Sequence, residues 1–463
     1  MTQLLFAEDT ICAISTPPGA GGIGIIRISG SQSLPLLKRI FTAKDPLCSY
    51  SSHRLYYGHI KRSGDAKVLD EVLVVFMAAP KTYTREDVVE IHCHGSFLVL
   101  QSVLELIIEE GARLADPGEF TKRAFLNGRI DLTRAEAVID VLAAKTRKGV
   151  DLAQEQLSGA LYKRIEPIRK SLIHMRAIIE VAIDFPDEDV EILDHPGLIK
   201  QIREEVNNPV DYLLQQADQG RIYREGITVV IAGLPNVGKS SLLNTILQEE
   251  RALVTAVPGT TRDSIEEYVD IHGMPVRLID TAGIREDAGE VEELGIRRAK
   301  ELINKADLVL FMIDGSRPVT DADRRLYKTV SHKPLLQVIS KLDICEDPQD
   351  SLPSLGEPGQ QVKISAKKQT GIDELKQKIF ESITTGLEQW EEGGCAPNLR
   401  HKNALLGARE AGARVLTALQ TGLTSDLIAV DLQQCLDQLS DIVGETTTED
   451  ILDVIFAEFC LGK

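Results

Sequence analysis

At 463 residues, with 43% hydrophobic content, the chain has material for about three soluble domains of roughly 150 residues each. A net charge of −18 excludes a general basic coat for nucleic acid, so any such contact must be local or shared with a partner. Seven scattered cysteines read as reduced thiols, the N-terminus lacks a basic leader, and no apolar run approaches the ~18 residues that span a bilayer. The expected compartment is the cytoplasm, with no membrane partner.

Residues 1–118 read as an α+β domain. Thr10 to Ile14 and Gly24 to Ser29 are short strand-like runs separated by turn-forming Pro17-Pro18-Gly19-Ala20-Gly21-Gly22. Further strands are predicted at Glu71 to Met77 and Val88 to Cys93, then a helix from Ser96 to Glu110 closed by Gly111. The glycines at 19, 21, 22 and 24 do not follow the dinucleotide spacing, so a tight loop or a close backbone approach to a flat ligand fits better than a Rossmann turn. His92-Cys93-His94 is a poor zinc site, because on a strand the two imidazoles share one face and the thiol points away.

From Pro117 onward the pattern turns helical: Thr121 to Leu126, Thr133 to Lys145, and Lys148 to about Gln219, with apolar residues every three or four positions. The acidic run Asp184 to Glu191 interrupts it at Pro186 and reads as a solvated turn. Helices return at about Asn398 after a hinge-like stretch, with Asp426 to Ser440 and Thr448 to Phe459 strongly amphipathic. The two stretches, 119–222 and 386–463, are expected to build one helical bundle. Residues 223–385 would be inserted into it.

That inserted segment alternates strands and helices, as a doubly wound nucleotide domain does. Gly233-Leu-Pro-Asn-Val-Gly-Lys-Ser240 follows the apolar strand Ile227 to Ala232 and opens a helix at Ser241, which is the phosphate-loop pattern in its proper context. Backbone N–H groups at Asn236, Val237 and Gly238 would face phosphate, Lys239 would reach the β/γ oxygens, and the Ser240 hydroxyl would hold Mg²⁺. Asp280-Thr281-Ala282-Gly283 ends another apolar strand and would set a carboxylate beside the metal and a glycine backbone near the γ-phosphate. Pro258 to Asp263 resembles a loop that closes over the γ-phosphate, with Thr261 as a further Mg²⁺ ligand. Ser340-Lys341-Leu342-Asp343 and Ser365-Ala366-Lys367 resemble guanine-reading elements, in which the Asp343 carboxylate accepts from the base N1–H and amine. Ser340 stands where GTPases usually have Asn.

Hydrolysis needs a group to orient water. Many small GTPases have Gln after the glycine of the Asp280 motif; here the residue is Ile284, which cannot do so. The acidic residues Glu286, Asp287, Glu290, Glu292 and Glu293 are the alternatives that sequence alone leaves open. Asn236 adds an oxygen near the β–γ bridge, where it either ligates a monovalent cation or simply shapes the loop.

Over essentially its whole length the chain resembles the tRNA-modification GTPases called MnmE or TrmE. The resemblance rests on Thr16-Pro-Pro-Gly19, Arg27-Ile-Ser-Gly30, Glu90-Ile-His-Cys-His-Gly95, Pro117 to Gly128, the inserted GTPase segment, and Phe459-Cys-Leu-Gly-Lys463. It implies an N-terminal domain that binds 5-formyl-tetrahydrofolate or a related folate, contacted by Arg27, Glu90, Arg129 and Lys463, and that mediates homodimerisation. The family commonly has Lys where Arg129 stands, and a planar guanidinium keeps the charge but not the geometry. The resemblance further implies K⁺-stimulated GTP hydrolysis, with Asn236, Thr255, Val257 and Thr260 at the potassium site and Glu292 orienting water through a second water. It implies modification of the wobble uridine (U34) of tRNA at C5, in a heterotetramer or larger complex with a flavin-containing partner of the MnmG or GidA type that carries the FAD. Cys460, in the Cys-x-Gly-Lys ending, is read as important without being a nucleophile, since nothing in the sequence supplies an adjacent base. The rival reading is a non-enzymatic, GTP-dependent dimerising scaffold in ribosome assembly.

Overall fold

The computed structural model describes residues 9–45, 49–62, 67–185, 194–250, 267–280, 300–345, 355, 361–385, 394–459 and 462. The N-terminal part is a seven-stranded sheet with two helices on one face. In chain order its elements are β1 (Ile11–Ile14), β2 (Gly21–Ser29), α1 (Ser33–Ile40), β3 (Phe41–Ala43), β4 (Arg54–Lys61), β5 (Val68–Met77), β6 (Val88–Gly95), α2 (Phe97–Glu109) and β7 (Arg113–Leu114). Spatial order is β3-β4-β5-β6-β2-β1-β7, antiparallel except for the β1–β7 pair. β2 begins at Gly21, earlier than expected, because the glycines pair with the end of β6 and leave room for what lies against them. A Cβ on Gly24 would meet the Leu100 side chain at 2.4 Å. β4 has no counterpart in the sequence reading; its Gly58 breaks the apolar run, yet Tyr56, Gly58 and Ile60 form a clean inward-facing alternation, and a Cβ on Gly58 would strike the Thr42 carbonyl oxygen at 2.3 Å.

Helix α3 (Glu119–Leu126) stands between this sheet and the bundle: Phe120 packs on the sheet side, while Phe125 and Leu126 pack with Leu132, Leu452 and Phe456 of bundle helices. Phe120 is fully buried against Ile11, Ala13 and Ala115, and the buried Arg123 is held by Asp9, Glu86 and Glu119. These contacts are long-range and leave no local signature in the sequence.

The bundle begins at α4 (Leu132–Ala143), followed by α5 (Arg147–Leu157), α6 (Ala160–Asp184), α7 (His195–Gln201), a π-helical turn (Ile202–Asn207) and α8 (Asn208–Glu225). The helical stretch expected from Lys148 to Gln219 is therefore broken first at Ser158-Gly159, where Gly159 takes φ +87°. The GTPase-like segment then intervenes. Chain order there is β8 (Ile227–Gly233), α9 (Lys239–Glu250), β9 (Glu267–Ile271), β10 (Met274–Asp280), β11 (Leu308–Asp314), α10 (Asp321–Val330), β12 (Leu335–Ser340), β13 (Gln361–Lys363) and α11 (Ile372–Thr384). Its sheet order is β13-β12-β11-β8-β10-β9, parallel except for the β9–β10 hairpin. The bundle resumes with α12 (Leu399–Thr421), α13 (Ser425–Val443) and α14 (Glu449–Ala457). One apolar core joins both halves: Leu161, Leu172 and Ile179 of α6 and Val210 and Leu213 of α8 pack with Leu405 and Val415 of α12 and Leu432 and Leu439 of α13. A P-loop domain is thus inserted in a helical bundle, beside an N-terminal α+β unit.

Candidate functional site

The strand β8 delivers the phosphate loop. Ile227 to Ala232 are largely buried between neighbours β10 and β11, so the strand is rigid and its exit is fixed. The loop then turns through Asn236 (φ +64°) and Gly238 (φ +99°), and a Cβ at Gly233 would lie 2.7 Å from the Met312 carbonyl oxygen. Lys239 opens α9, is 6% exposed, and donates from Nζ to the carbonyls of Gly233 (3.1 Å) and Leu234 (2.9 Å), bracing the loop that it would also serve electrostatically. Ser241 follows on the exposed side of the helix start.

Two expected Mg²⁺ groups meet. β10 runs parallel to β8 in the register Asp280↔Ile231, which carries Asp280 to the loop, and Ser240 Oγ donates to Asp280 Oδ2 at 2.7 Å. A hydroxyl and a carboxylate at this separation are hard oxygen donors of the kind that hold Mg²⁺ through one or two protein groups, water and phosphate. The residues fit the ion.

At the same C-terminal end of the parallel strands, on the other side of β11, lie the elements expected to read the base. Ser340 ends β12, is 3% exposed, and its Oγ stands 2.6 Å from the Val237 carbonyl oxygen and 3.0 Å from that of Ile313. Lys341 (φ +60°) donates to Asp314 Oδ2 at 2.7 Å; burial pushes the Asp314 carboxyl up, but this ammonium and the Ser316 donors outweigh it and hold the group below its usual range. Asp343 lies on a short 3₁₀ turn (Leu342–Ile344) and accepts from Ser365 Oγ at 2.8 Å, which keeps its carboxyl ionised, below the ordinary value. Ser365 also pairs with Thr370 across a backbone bridge, so the segment from Ser365 through Ala366 to the exposed Lys367 is a closed turn beside Asp343. An ionised carboxylate beside a fixed turn, with β11 between its strand and that of the phosphate loop, is the kind of acceptor that recognition of a guanine N1–H and amine requires.

Thr255, Val257, Thr260, Thr261, Thr281, Ala282, Gly283, Ile284 and Glu292 lie outside the described residues, as do Cys460 and Lys463. Of the potassium set, Asn236 alone is described.

A second cluster forms in the N-terminal unit. Arg27 and Glu90 are direct cross-strand partners on β2 and β6, with Nε to Oε1 at 2.9 Å. The Arg27 guanidinium lies 5.7 Å from the Phe120 ring centroid and 6.0 Å from that of Tyr83, and Arg129 lies over the Tyr83 ring at 4.9 Å while donating to the Thr82 carbonyl at 2.9 Å. Gly462 reaches the same place: its carbonyl accepts from Ser15 Oγ at 3.1 Å and Arg27 Nη1 at 3.4 Å. Two guanidiniums, a carboxylate and aromatic faces make a cradle suited to a flat, polar, anionic molecule. Tyr83 and Ser15 escaped the sequence reading, and Phe120 entered it within the Pro117 to Gly128 motif but with no role, because only the sheet register and α3 bring the three together. Cys93 and His94 part company: Cys93 is in the core, where burial pushes its thiol up to about 12, and the exposed His94 bonds Asp70 at 2.6 Å.

A phosphate loop braced by a lysine, a serine–aspartate pair at its edge and an ionised aspartate at the base position define a P-loop nucleotide-binding protein of the guanine-reading class. Residues 10–129 match the pattern of the GTP-binding protein TrmE N-terminus, and residues 132–460 match that of the MnmE helical domain. The chain is 62% identical over 461 residues, 98% of each sequence, to the tRNA modification GTPase MnmE of Desulfotalea psychrophila. It is 45% identical over 462 residues, 99% of this chain and 100% of the other, to that of Alkaliphilus oremlandii. Among solved structures, Aquifex aeolicus Era bound to GDP.AlF4- is 28% identical, at a TM-score of 0.28 over 40% of this chain and 66% of that one. The chain belongs to the MnmE family of tRNA modification GTPases.

Proposed function

We propose that this chain binds and hydrolyses GTP as the GTPase component of a tRNA-modifying system acting on the wobble uridine (U34) at C5. The observation that carries the reading is the joint presence, in a chain that matches an MnmE over 98% of its residues, of the Ser240–Asp280 pair at the phosphate loop and the Arg27–Glu90–Arg129 cradle around Tyr83. In this reading Ser240 and Asp280 hold Mg²⁺, which neutralises phosphate charge, with Thr261 as a further ligand. Lys239 leaves its loop carbonyls to meet the β/γ oxygens, Asp343 selects guanine, and Glu292 orients the attacking water. Asn236 with Thr255, Val257 and Thr260 holds K⁺, which supplies the positive charge that an arginine finger gives elsewhere. Arg27, Glu90, Arg129 and Lys463 bind a folate carrying the one-carbon unit, with Cys460 beside them. The working assembly is a homodimer joined to an FAD-containing partner of the MnmG type, in the cytoplasm.

The test is nucleoside analysis of tRNA from cells lacking this protein. Loss of the C5 substituent at U34, restored by the intact gene but not by a Ser240→Ala version, is the expected result. Unchanged wobble uridines would refute the reading.

A further inference from the structure

The hairpin of β9 and β10 connects segment 251–266 to Asp280, so it lies in the chain between the loop expected to close on the γ-phosphate and the motif expected to hold the metal. Its turn, at the end of β10 opposite Asp280, is tight: Gly273 N donates to Asp270 Oδ1 at 2.6 Å, with His272 at φ +54° and Gly273 at φ +85°. His272 in that turn is exposed, but Gly273 is half-buried. It rests on the corner between α4 and α5 of the helical bundle.

Three contacts make the seat. The Thr146 hydroxyl, N-cap of α5, accepts from Gly149 N at 3.1 Å and donates to the Gly273 carbonyl at 2.8 Å, so both of its roles are used; the residue is 6% exposed. Lys145 Nζ lies 3.2 Å from the centroid of the Tyr268 ring on β9. A Cβ on Gly273 would come within 2.9 Å of Lys148 Cβ, so the backbones approach as closely as glycine permits. On its other sides the hairpin meets α11, where His272 stacks edge-on against Phe380 at 5.2 Å, and the end of α8, where a Cβ on Gly226 would strike the Pro275 carbonyl oxygen at 2.1 Å.

β10 is bonded to β8 in unbroken register from Val276↔Ile227 to Asp280↔Ile231. A hairpin seated at one end therefore fixes the other end, where Asp280 accepts from Ser240. We propose that Thr146 and Lys145 are positioning residues for GTP hydrolysis: the bundle's α4–α5 corner grips the hairpin between the two phosphate-sensing segments and sets where Asp280 stands against the phosphate loop. This rests on the chain being a GTP hydrolase. Ground-state affinity comes mainly from the phosphate loop and Asp343, which the corner does not touch. The grip acts on the step in which the connected segments must be aligned, so it belongs to kcat and not to binding.

The experiment compares full-length wild type, Thr146→Ala, Thr146→Ser and Lys145→Met for GTP turnover, affinity for a fluorescent GDP, and far-UV circular dichroism. Thr146→Ala is expected to lower kcat about fivefold or more while KM and GDP affinity stay within about twofold, and Thr146→Ser, which keeps the hydroxyl, recovers most of the loss. Lys145→Met, on an exposed side chain, shows a smaller fall with the same split. Wild-type kcat in Thr146→Ala, a parallel loss of nucleotide affinity, or a serine variant no better than alanine would overturn the proposal. Should Thr146→Ala fail to fold, Lys145→Met decides, and an unchanged kcat there overturns it. Wild-type protein that turns over no GTP refutes the functional reading itself, a result separate from all of these.

Discussion

Ser340 Oγ lies 2.6 Å from the carbonyl oxygen of Val237, so the strand that leads to the base-reading Asp343 is tied directly to the phosphate loop. The hydroxyl has one proton and two carbonyls within reach, Val237 and Ile313, and the site is almost fully buried. Replacing it by alanine deprives both carbonyls of this donor in a place where water cannot substitute freely. Ser340→Ala should weaken GDP binding by about 1–2 kcal/mol, roughly tenfold in Kd, by fluorescence titration. Unchanged affinity would show that the tie does not shape the nucleotide site.

Asn236 stands at φ +64° inside the loop, a conformation that asparagine tolerates better than most residues. That fact accounts for the residue type without a ligand, so the cation role needs its own measurement. GTP turnover in K⁺ should exceed turnover in Na⁺ at equal ionic strength by about tenfold or more, and Asn236→Ala should erase the difference while leaving GDP affinity nearly intact. Equal rates in the two salts for the wild type would remove the cation from the mechanism.

The phosphate loop, Asp280 and Asp343 were readable in the sequence because each sits at the end of a short apolar strand, where spacing and residue type encode chemistry locally. The insertion of one domain in a bundle was also readable, since helical periodicity stops near Gly226 and resumes near Asn398. What escaped was non-local. β4 hid behind Gly58, and β9 behind the acidic residues at its ends. The buried Arg123 of α3 reads as surface charge in the sequence, because its burial against Asp9, Glu86 and Glu119 depends on residues up to 114 positions away. Tyr83 carries no motif at all, and only folding sets it between Arg27 and Arg129.

Glu136 of α4 joins the two halves of the bundle. Its carboxylate accepts from Arg400 Nε and Nη2, both at 2.8 Å, from Asn398 Nδ2 at 3.0 Å, and lies 2.6 Å from His401 Nε2. Burial pushes this carboxyl up, but His401 and Arg400 outweigh it and hold it far below the usual range. A depressed carboxylate contributes stability that is present above its unfolded value and lost as pH falls through the folded one. Burial lowers the His401 imidazole below its ordinary value, so at pH 7 the partly buried Arg400 is the cation that Glu136→Gln leaves without its carboxylate, and the guanidinium midpoint should fall by the equivalent of about 1.5–3 kcal/mol. The gap between variant and wild type should narrow in acid, and a variant as stable as wild type at pH 7 would refute the arrangement.

One turn further along α4, Asp140 has the opposite character. Burial raises its carboxyl to about 6 from an ordinary 3.8; Arg224 of α8 opposes the rise, and Glu136 and Glu225 add to it. The group lines a pocket of about 640 Å³ together with the charged Arg224, Glu136, Arg400 and Asp450 and the apolar Leu399 and Val454. Because the folded value lies above the unfolded one, the native state binds the proton more tightly between 3.8 and about 6. Stability attributable to Asp140 therefore falls as pH rises through that window and stays lower above it. Asp140→Asn removes the penalty: the variant should be more stable than wild type at pH 8 by about 1–2 kcal/mol, allowing for partial solvent screening, and indistinguishable from it near pH 4. Denaturation midpoints at the two pH values test this, and a variant less stable than wild type at pH 8 would mean that Asp140 is held ionised by Arg224 and that the balance of burial and charge at this joint runs the other way.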